Sequence, residues 1–280
     1  MNIDTAATNN VSPQFSIVCP VFNSKEWIHK TLDTVLDQTF RPFELIIVDD
    51  GSSDDTPALV VQYLQLKNPI FPCTILRGEH RGPGAARNSG IRAARGDWIA
   101  FLDSDDLWAP NKLERVAHAI AKTSDANFFC HHEELAKLDG QRVALNYASH
   151  YNSNRPLPVQ LYQRNLFSTS AVVCRRIILL EHGLFDESLM SAQDYELWLR
   201  LSSRLQVAFV QERLGLYIER QGNITNGSWL QRMRNELLIA WRHRKLVPAT
   251  DLAIRLLRIV ASYHKQALAR CLKHYHNRST

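Results

Sequence analysis

Two acidic clusters follow apolar runs in this 280-residue sequence: Asp49-Asp50 after Phe43–Val48, and Asp103-Ser104-Asp105-Asp106 after Trp98–Leu102. Three carboxylates within four residues repel one another, and a divalent cation at the end of a strand would compensate them. Alternate carboxylates around one hard ion suit Mg²⁺ or Mn²⁺, with open positions for phosphate oxygens. An Asp-x-Asp triplet also arises by chance in solvated loops; the apolar strand before this one is what singles it out. In the first cluster Ser53, Asp54 or Asp55 can cap the helix that follows, which leaves Asp49 and Asp50 unexplained by local structure. Between the clusters, Arg81–Gly90 (RGPGAARNSG) is a Gly-rich turn leading into a helix, with neither the dinucleotide nor the P-loop spacing. It is either an anion site, built from backbone N–H groups at a helix N-terminus with Arg87 beside them, or a turn carrying a solvated arginine. Gln193 and Asp194 fall at another predicted helix N-terminus, where the partial positive charge keeps a carboxylate ionised. On local grounds alone Asp194 also reads as an N-cap.

The elements that must position these residues alternate between short apolar runs and helical periodicity. Phe15–Val21 precedes Glu26–Gln38, Phe43–Val48 precedes Thr56–Leu66, Cys73–Leu76 precedes Gly84–Ala94, and Trp98–Leu102 precedes Asn111–Ala121. Four β-α units in about 110 residues predict an open parallel sheet with helices on both faces. Ligands in such sheets bind outside the carboxyl ends of the strands, where both acidic clusters lie. The pattern is less regular over 127–138 and 142–147, and a Pro-containing connection spans 155–158. A strand at Ala171–Cys174, a short helix, a loop at 183–192 and a helix over 194–203 follow. Strands at Val207–Val210 and Leu214–Ile218 come next, then helices near 228–245 and 250–274.

With 45% hydrophobic and 22% charged residues the chain is a folding one, which excludes disordered and collagen-like classes. Five scattered cysteines (Cys19, Cys73, Cys130, Cys174, Cys271), never in CxxC spacing, suggest neither a disulfide framework nor a zinc cluster. His131 and His132 have no third ligand at metal spacing and read as structural. So do Trp98, Trp108 and Trp198, although Trp108, next to the acidic triplet, is the best placed of them to stack on a sugar. Thr169 and Ser170, before a strand, could touch donor or acceptor. No stretch is apolar enough to span a bilayer, and the start lacks the pattern of a secretory leader. The expectation is therefore a cytoplasmic protein.

Four blocks together resemble the family 2 glycosyltransferases: CPVFNS at 19–24, VDDGSSDDT at 48–56, GPGAARNSGIRAARGDWIAFLDSDD at 82–106 and AQDYELWLRL at 192–201. They span about 190 residues in the family's order and spacing. The resemblance implies an α/β GT-A fold, with a nucleotide-binding half fused to an acceptor-binding half. It also implies transfer of a sugar, with inversion, from a nucleotide diphosphate donor to a hydroxyl of a saccharide or lipid-linked saccharide. Carried over residue by residue, it puts Pro20 in the nucleotide site, Phe22 beside the base, Asp50 on the imide N–H of uracil and Asp103 near the ribose. Asp105 becomes the ligand of a divalent cation, Mn²⁺ or Mg²⁺, Arg87 a lining residue of the nucleotide site, and Asp194 the catalytic base. One departure stands out. Where many relatives carry a histidine after the last strand, this sequence reads Tyr217-Ile218-Glu219-Arg220. Arginine cannot ligate a metal but can pair with phosphate oxygens, so Arg220 is expected at the leaving diphosphate.

The expected organisation is a polar segment over 1–14, a nucleotide-sugar-binding half over 15–125, an acceptor and catalytic-base half over 126–227, and a basic helical extension over 228–280. Net charge divides unevenly along it. Residues 229–280 hold 11 Lys or Arg against 2 Asp or Glu, a charge of +9, and the remainder holds 22 against 26, or −4. The extension either packs on the catalytic part or lies on an anionic membrane surface, where apolar insertion and basic residues act together. The second case would make the protein peripheral on the cytoplasmic face of the inner membrane. Two rivals are an inactive sugar-nucleotide-binding protein and a nucleic-acid-binding protein. The latter is disfavoured, because the basic residues lie on apolar-faced helices and the strand-end acids repel a phosphate backbone.

Overall fold

A computed structural model describes residues 3–5, 13–220 and 229–276, with side chains over 13–220 and 229–264. Most of the expected N-terminal polar segment, the run after Arg220, the expected boundary at 228 and the side chains of Leu268, Cys271 and Leu272 lie outside the described residues.

The four β-α units form as the periodicity predicts: β2 (Phe15–Val21) and α1 (Ile28–Leu36), β3 (Phe43–Asp49) and α2 (Thr56–Lys67), β4 (Cys73–Arg77) and α3 (Pro83–Ala93), β5 (Trp98–Phe101) and α4 (Lys112–Lys122). A short strand, β1 (Ile3–Thr5), precedes them, and β6 (Leu107–Trp108) lies between β5 and α4. The chain continues through β7 (Phe128–Ala136), β8 (Arg142–Leu145), α5 (Leu157–Gln163), β9 (Val172–Arg175), α6 (Arg176–His182), α7 (Gln193–Leu201) and β10 (Val207–Ile218). Helices α8 (Trp229–Arg242) and α9 (Ala249–His276) end it.

The ten strands of the described residues join one sheet in the order β1-β4-β3-β2-β5-β9-β7-β10-β6, with β8 paired to β7. The pairs β4-β3, β3-β2 and β2-β5 are parallel, and β9 runs antiparallel between β5 and β7. Alternate strand residues enter opposite layers. Val18, Ile46, Ile99 and Phe101 pack with residues of α3, α6, α7, α8 and α9. Ile17, Leu45, Ile47 and Ala100 pack with those of α1, α2 and α4. Both faces are therefore covered, which is why these strands read as unbroken apolar runs. The sheet runs without interruption across residue 125.

Two local departures have physical causes. The two short strands expected after residue 206 are one, β10, whose register with β7 shifts between Val210 and Arg213 and again between Arg213 and Gly215. The polar run Gln211-Glu212-Arg213 sits at this irregularity, so the alternation breaks while the strand continues. The connection expected at 155–158 instead leads into α5, because Pro158 occupies the first turn, where a missing N–H costs nothing.

Candidate active site

At the carboxyl ends of β2, β3 and β5 lies a cleft of about 960 Å³ lined by Pro20, Phe22, Asp50, Arg87, Asp103, Asp105, Asp194 and Arg220, every site residue expected from the sequence. On one side Phe22, at the end of β2, stacks on His80 with ring centroids 4.0 Å apart. Asp50, which follows β3, is buried and accepts hydrogen bonds at 2.9 Å from the backbone N–H groups of Arg81 and Gly82. His80 Nδ1 lies 2.8 Å from the same carboxylate. Asp50 thus ties the Gly-rich turn to β3. Gly51 makes the approach feasible: its φ is +73°, and a Cβ there would stand 2.7 Å from the His80 nitrogen.

The acidic turn after β5 is held by arginines. Arg87, 5% exposed on α3, reaches Asp103 at 2.5 Å, and Arg220 pairs with Asp105. The Nε and Nη1 atoms of Arg87 are buried with no hydrogen-bond partner among the described residues. Its charge is matched by Asp103 through Nη2, and the guanidinium lies 5.4 Å from the centroid of the Phe185 ring. Burial, with the charge of Asp103 second, raises the Asp105 carboxyl above the ordinary carboxylate range. The donor set suits a hard cation: Asp103 and Asp105 offer carboxylate oxygens into the cleft. Among the described residues no three ligating side chains gather, so an ion at Asp105 would complete its shell from phosphate oxygens and water.

Behind the turn, a buried polar group fixes its shape. Ser170 donates to Asp106 at 2.6 Å and accepts the N–H of Asp103 at 3.1 Å, while Lys112 Nζ donates to the Ser170 carbonyl at 2.9 Å. Lys112 is fully buried and lies 3.2 Å from the centroid of the Trp108 ring, so Trp108 is a wall of this interior and not a platform for a sugar. Glu133, also fully buried, accepts from the Tyr147 hydroxyl at 2.7 Å. Burial drives the Lys112 pKa well down and the Asp106 and Glu133 pKa values up. Lys112→Ala would remove one of the two donors to the Ser170 carbonyl, leaving the Trp108 indole N–H at 3.2 Å, and open a void under Trp108. The variant is expected to lose about 3 kcal/mol in urea denaturation, the scale of truncating a large, fully buried side chain that also donates a hydrogen bond.

On the opposite side, Ala192 turns the chain into α7 through a left-handed conformation (φ 59°) that brings Asp194 to the cleft. Asn165 donates to Asp194 Oδ2 at 3.1 Å. Burial raises the Asp194 carboxyl despite the helix N-terminus, with the Tyr195 N–H and the Arg87 charge opposing it. The N-terminus therefore moderates a burial cost and does not hold the acid low, as its place on the helix alone predicted. A carboxylate with a raised pKa is a better proton acceptor at neutral pH.

Helices α8 and α9 pack on the core through Ile239, Ala240, Ile259 and Tyr263, all buried, and through a hydrogen bond of 2.7 Å from Tyr162 to the Ala240 carbonyl. They also close one end of the cleft with Arg232, Glu236, Arg255 and Tyr263. Sequence reasoning placed none of these four in the site, and it missed His80 and Asn165 as well. A helical wheel shows only that a face is polar, not that it turns toward a cleft built by residues 100 positions earlier. Met190, on the long loop before α7, lines the cleft too.

Residues 16–188 match the sequence profile described as Glycosyl transferase family 2. An uncharacterised glycosyltransferase of Rickettsia typhi is 30% identical over 210 residues, 74% of this chain and 64% of the relative. The Bacillus subtilis teichuronic acid biosynthesis glycosyltransferase TuaG is 35% identical over 128 residues, 46% of this chain and 50% of that protein. The chain thus spans less than two thirds of the length of these relatives. Among solved structures, Staphylococcus aureus TarS 1–349 in complex with UDP-GlcNAc has a TM-score of 0.66 at 20% identity, covering 88% of this chain and 71% of that one. The mannosyltransferase PcManGT of Pyrobaculum calidifontis, in complex with GDP-Man and Mn²⁺, has a TM-score of 0.64 at 18% identity, covering 92% and 71%. These likenesses establish the GT-A fold expected from the sequence.

Proposed function

This chain belongs to glycosyl transferase family 2, and we propose that it moves a sugar, with inversion, from a nucleotide diphosphate donor to a hydroxyl of a saccharide or lipid-linked saccharide in bacterial cell-surface polysaccharide synthesis. The observation that carries this reading is the cleft at the carboxyl ends of the parallel strands, which gathers Arg87, Asp103, Asp105, Asp194 and Arg220. Phe22 and Asp50 are assigned to the base, UDP being the first choice, with Pro20 beside them and Asp103 near the ribose. Asp194 takes the proton of the accepting hydroxyl as its oxygen attacks the anomeric carbon, and the nucleoside diphosphate leaves on the opposite side. Arg87 and Arg220 stabilise the negative charge that builds on the leaving phosphates. A divalent cation, Mn²⁺ or Mg²⁺, fits Asp105 and supplies further charge stabilisation there when bound. Residues up to 125 serve the donor in this scheme, and 126–227 the acceptor and base.

The assignment is tested by melting shifts with a panel of uridine, guanosine and thymidine diphosphate sugars, each with and without Mn²⁺. Stabilisation by one member supports it; a flat response to the whole panel overturns it. Arg220→Ala is expected to lower turnover by about ten- to a hundredfold, the value of one or two charged hydrogen bonds. Arg220→His should recover part of the loss, and an Ala variant with full turnover would remove Arg220 from the diphosphate.

The outer faces of α8 and α9 support attachment to the cytoplasmic face of the membrane. No helix among the described residues is long and apolar enough to cross a membrane. Yet Leu230, Leu238, Trp241, Ile254, Leu257 and Val260 are exposed, with Arg234, Lys245 and Arg258 on the same outward faces. Apolar side chains interspersed with cations, with Asp251 at the start of α9 the one acid beside them among the described residues, complement an anionic lipid surface. The protein should therefore sediment with vesicles containing anionic lipid and not with neutral ones. Trp241→Glu with Leu257→Glu should abolish that sedimentation while leaving UDP binding intact.

A further inference from the structure

Asn165 meets the side chain of Asp194, but the place of the Asp194 backbone is set by the turn at Ala192. The φ of 59° there is a conformation that costs an alanine energy and a glycine almost none. Helix α7 starts from this turn, with the Glu196 N–H bonded to the Ala192 carbonyl at 3.0 Å. A non-glycine residue keeps such a φ only where its surroundings fix it. Residues 183–192 form neither helix nor strand, so the fixing group comes from another element.

That element is α8. Asn235 is buried on it, as are Ile239 and Ala240 one turn on. Its Nδ2 donates to the Ser191 carbonyl at 3.2 Å and meets the Ser191 hydroxyl at 3.0 Å, and its Oδ1 accepts from Gln231 at 3.0 Å. The Ser191 carbonyl belongs to the peptide that leads into Ala192, so the bond holds the plane just before the left-handed residue. Asparagine is a poor helix former, and a buried amide is costly unless it is bonded. An apolar side chain would fill this place at less cost, so the amide answers a need at Ser191. The end of α8 braces the same region elsewhere: Arg242 pairs with Asp186 on the loop, and His243 lies 3.1 Å from buried Glu196 in the first turn of α7. Asn235 reaches the turn itself.

We infer that Asn235 is a positioning residue for the catalytic base: by holding Ser191 it fixes the left-handed turn at Ala192, and that turn sets where Asp194 meets the acceptor hydroxyl. The inference rests on the glycosyltransferase reading and adds to it a residue of the C-terminal extension, which acts through the backbone.

Asn235→Leu removes both donors at nearly the same volume, and Asn235→Ala removes them from a smaller side chain should the first variant fail to fold. Two readouts apply to the full chain. With isotope-labelled aspartate, NMR follows the Asp194 carboxyl, identified by its absence from Asp194→Asn. In wild type it should titrate above the ordinary aspartate value of about 3.9, and in the variant it should move toward that value as the turn loosens and water reaches the acid. With Mn²⁺ and the UDP-sugar that shifts melting most, UDP release with water in place of the acceptor should fall about tenfold or more in kcat, the scale of a misplaced catalytic group, while KM stays within about twofold. In an Ala192→Gly background, measured against Ala192→Gly alone, the loss should shrink to about threefold or less, since glycine takes the turn unaided. A role of Asn235 in packing α8 alone would cost the same in both backgrounds. An Asp194 titration unmoved by the substitution, or a loss of equal size in both backgrounds, overturns the inference; where release to water is too slow to measure, the titration decides. Calorimetry of UDP with Mn²⁺ on wild type separates the two readings. If UDP binds and the titration stays put, this inference fails alone; if UDP does not bind, the glycosyltransferase reading fails whatever Asp194 does.

Discussion

Asp194→Asn should reduce transfer by about 10² to 10⁴, the usual worth of a positioned general base, while calorimetry shows UDP-sugar affinity within about twofold of wild type. The Asn side chain keeps an oxygen for the Asn165 amide now bonded to Asp194 at 3.1 Å, so its position need not change. Stability separates this outcome from a folding defect. A carboxyl whose folded pKa is raised favours the fold fully only below its unfolded pKa, and that contribution is lost as pH rises through the folded pKa. Burial raises Asp194 in this way, so at neutral pH its charge opposes folding and the neutral Asn variant should melt no lower than wild type. In the active enzyme the same shift places the acid limb of kcat/KM above the ordinary aspartate value of about 3.9. Normal turnover by the variant, or an acid limb at or below that value, would remove Asp194 as the base.

How far the sequence could reach is clear from individual residues. Asp50, Asp103 and Asp105 were legible because an apolar strand ended just before each cluster, and parallel sheets bind ligands at that end. The two layers were legible because strands such as Leu45–Val48 are apolar without alternation. Arg87 was ambiguous on local grounds, since the same sequence could display a solvated arginine, and only the family resemblance assigned it to the nucleotide site; in the structure it lines the cleft at 5% exposure. Lys112 reads as an ordinary helix-end cation; only the approach of Ser170, 58 positions away, makes it a buried one. Arg255 and Glu236 fall in a segment whose composition suggests nothing but a basic surface. Periodicity reports which face of an element is buried, and these residues matter through what lies opposite that face.

The second large effect is expected at Asp105. In wild type, Mn²⁺ should raise UDP affinity strongly, because a cation between carboxylate and diphosphate supplies several kcal/mol, or at least a hundredfold at about 1.4 kcal/mol per tenfold. Asp105→Ala should lose that gain. It should cost the fold little, since burial and the neighbouring Asp103 already disfavour the Asp105 charge and its removal relieves both. In EDTA the variant should bind UDP at least as well as wild type, because one carboxylate no longer faces the phosphates and Arg220 is released toward them. Asp103→Ala provides the contrast. Its carboxylate is held by Arg87 at 2.5 Å, so its removal frees the best-buried cation of the cleft and should leave much of the Mn²⁺ gain in place. If the two variants exchange these behaviours, the metal ligand is Asp103, and Arg220 holds Asp105 for a structural reason alone.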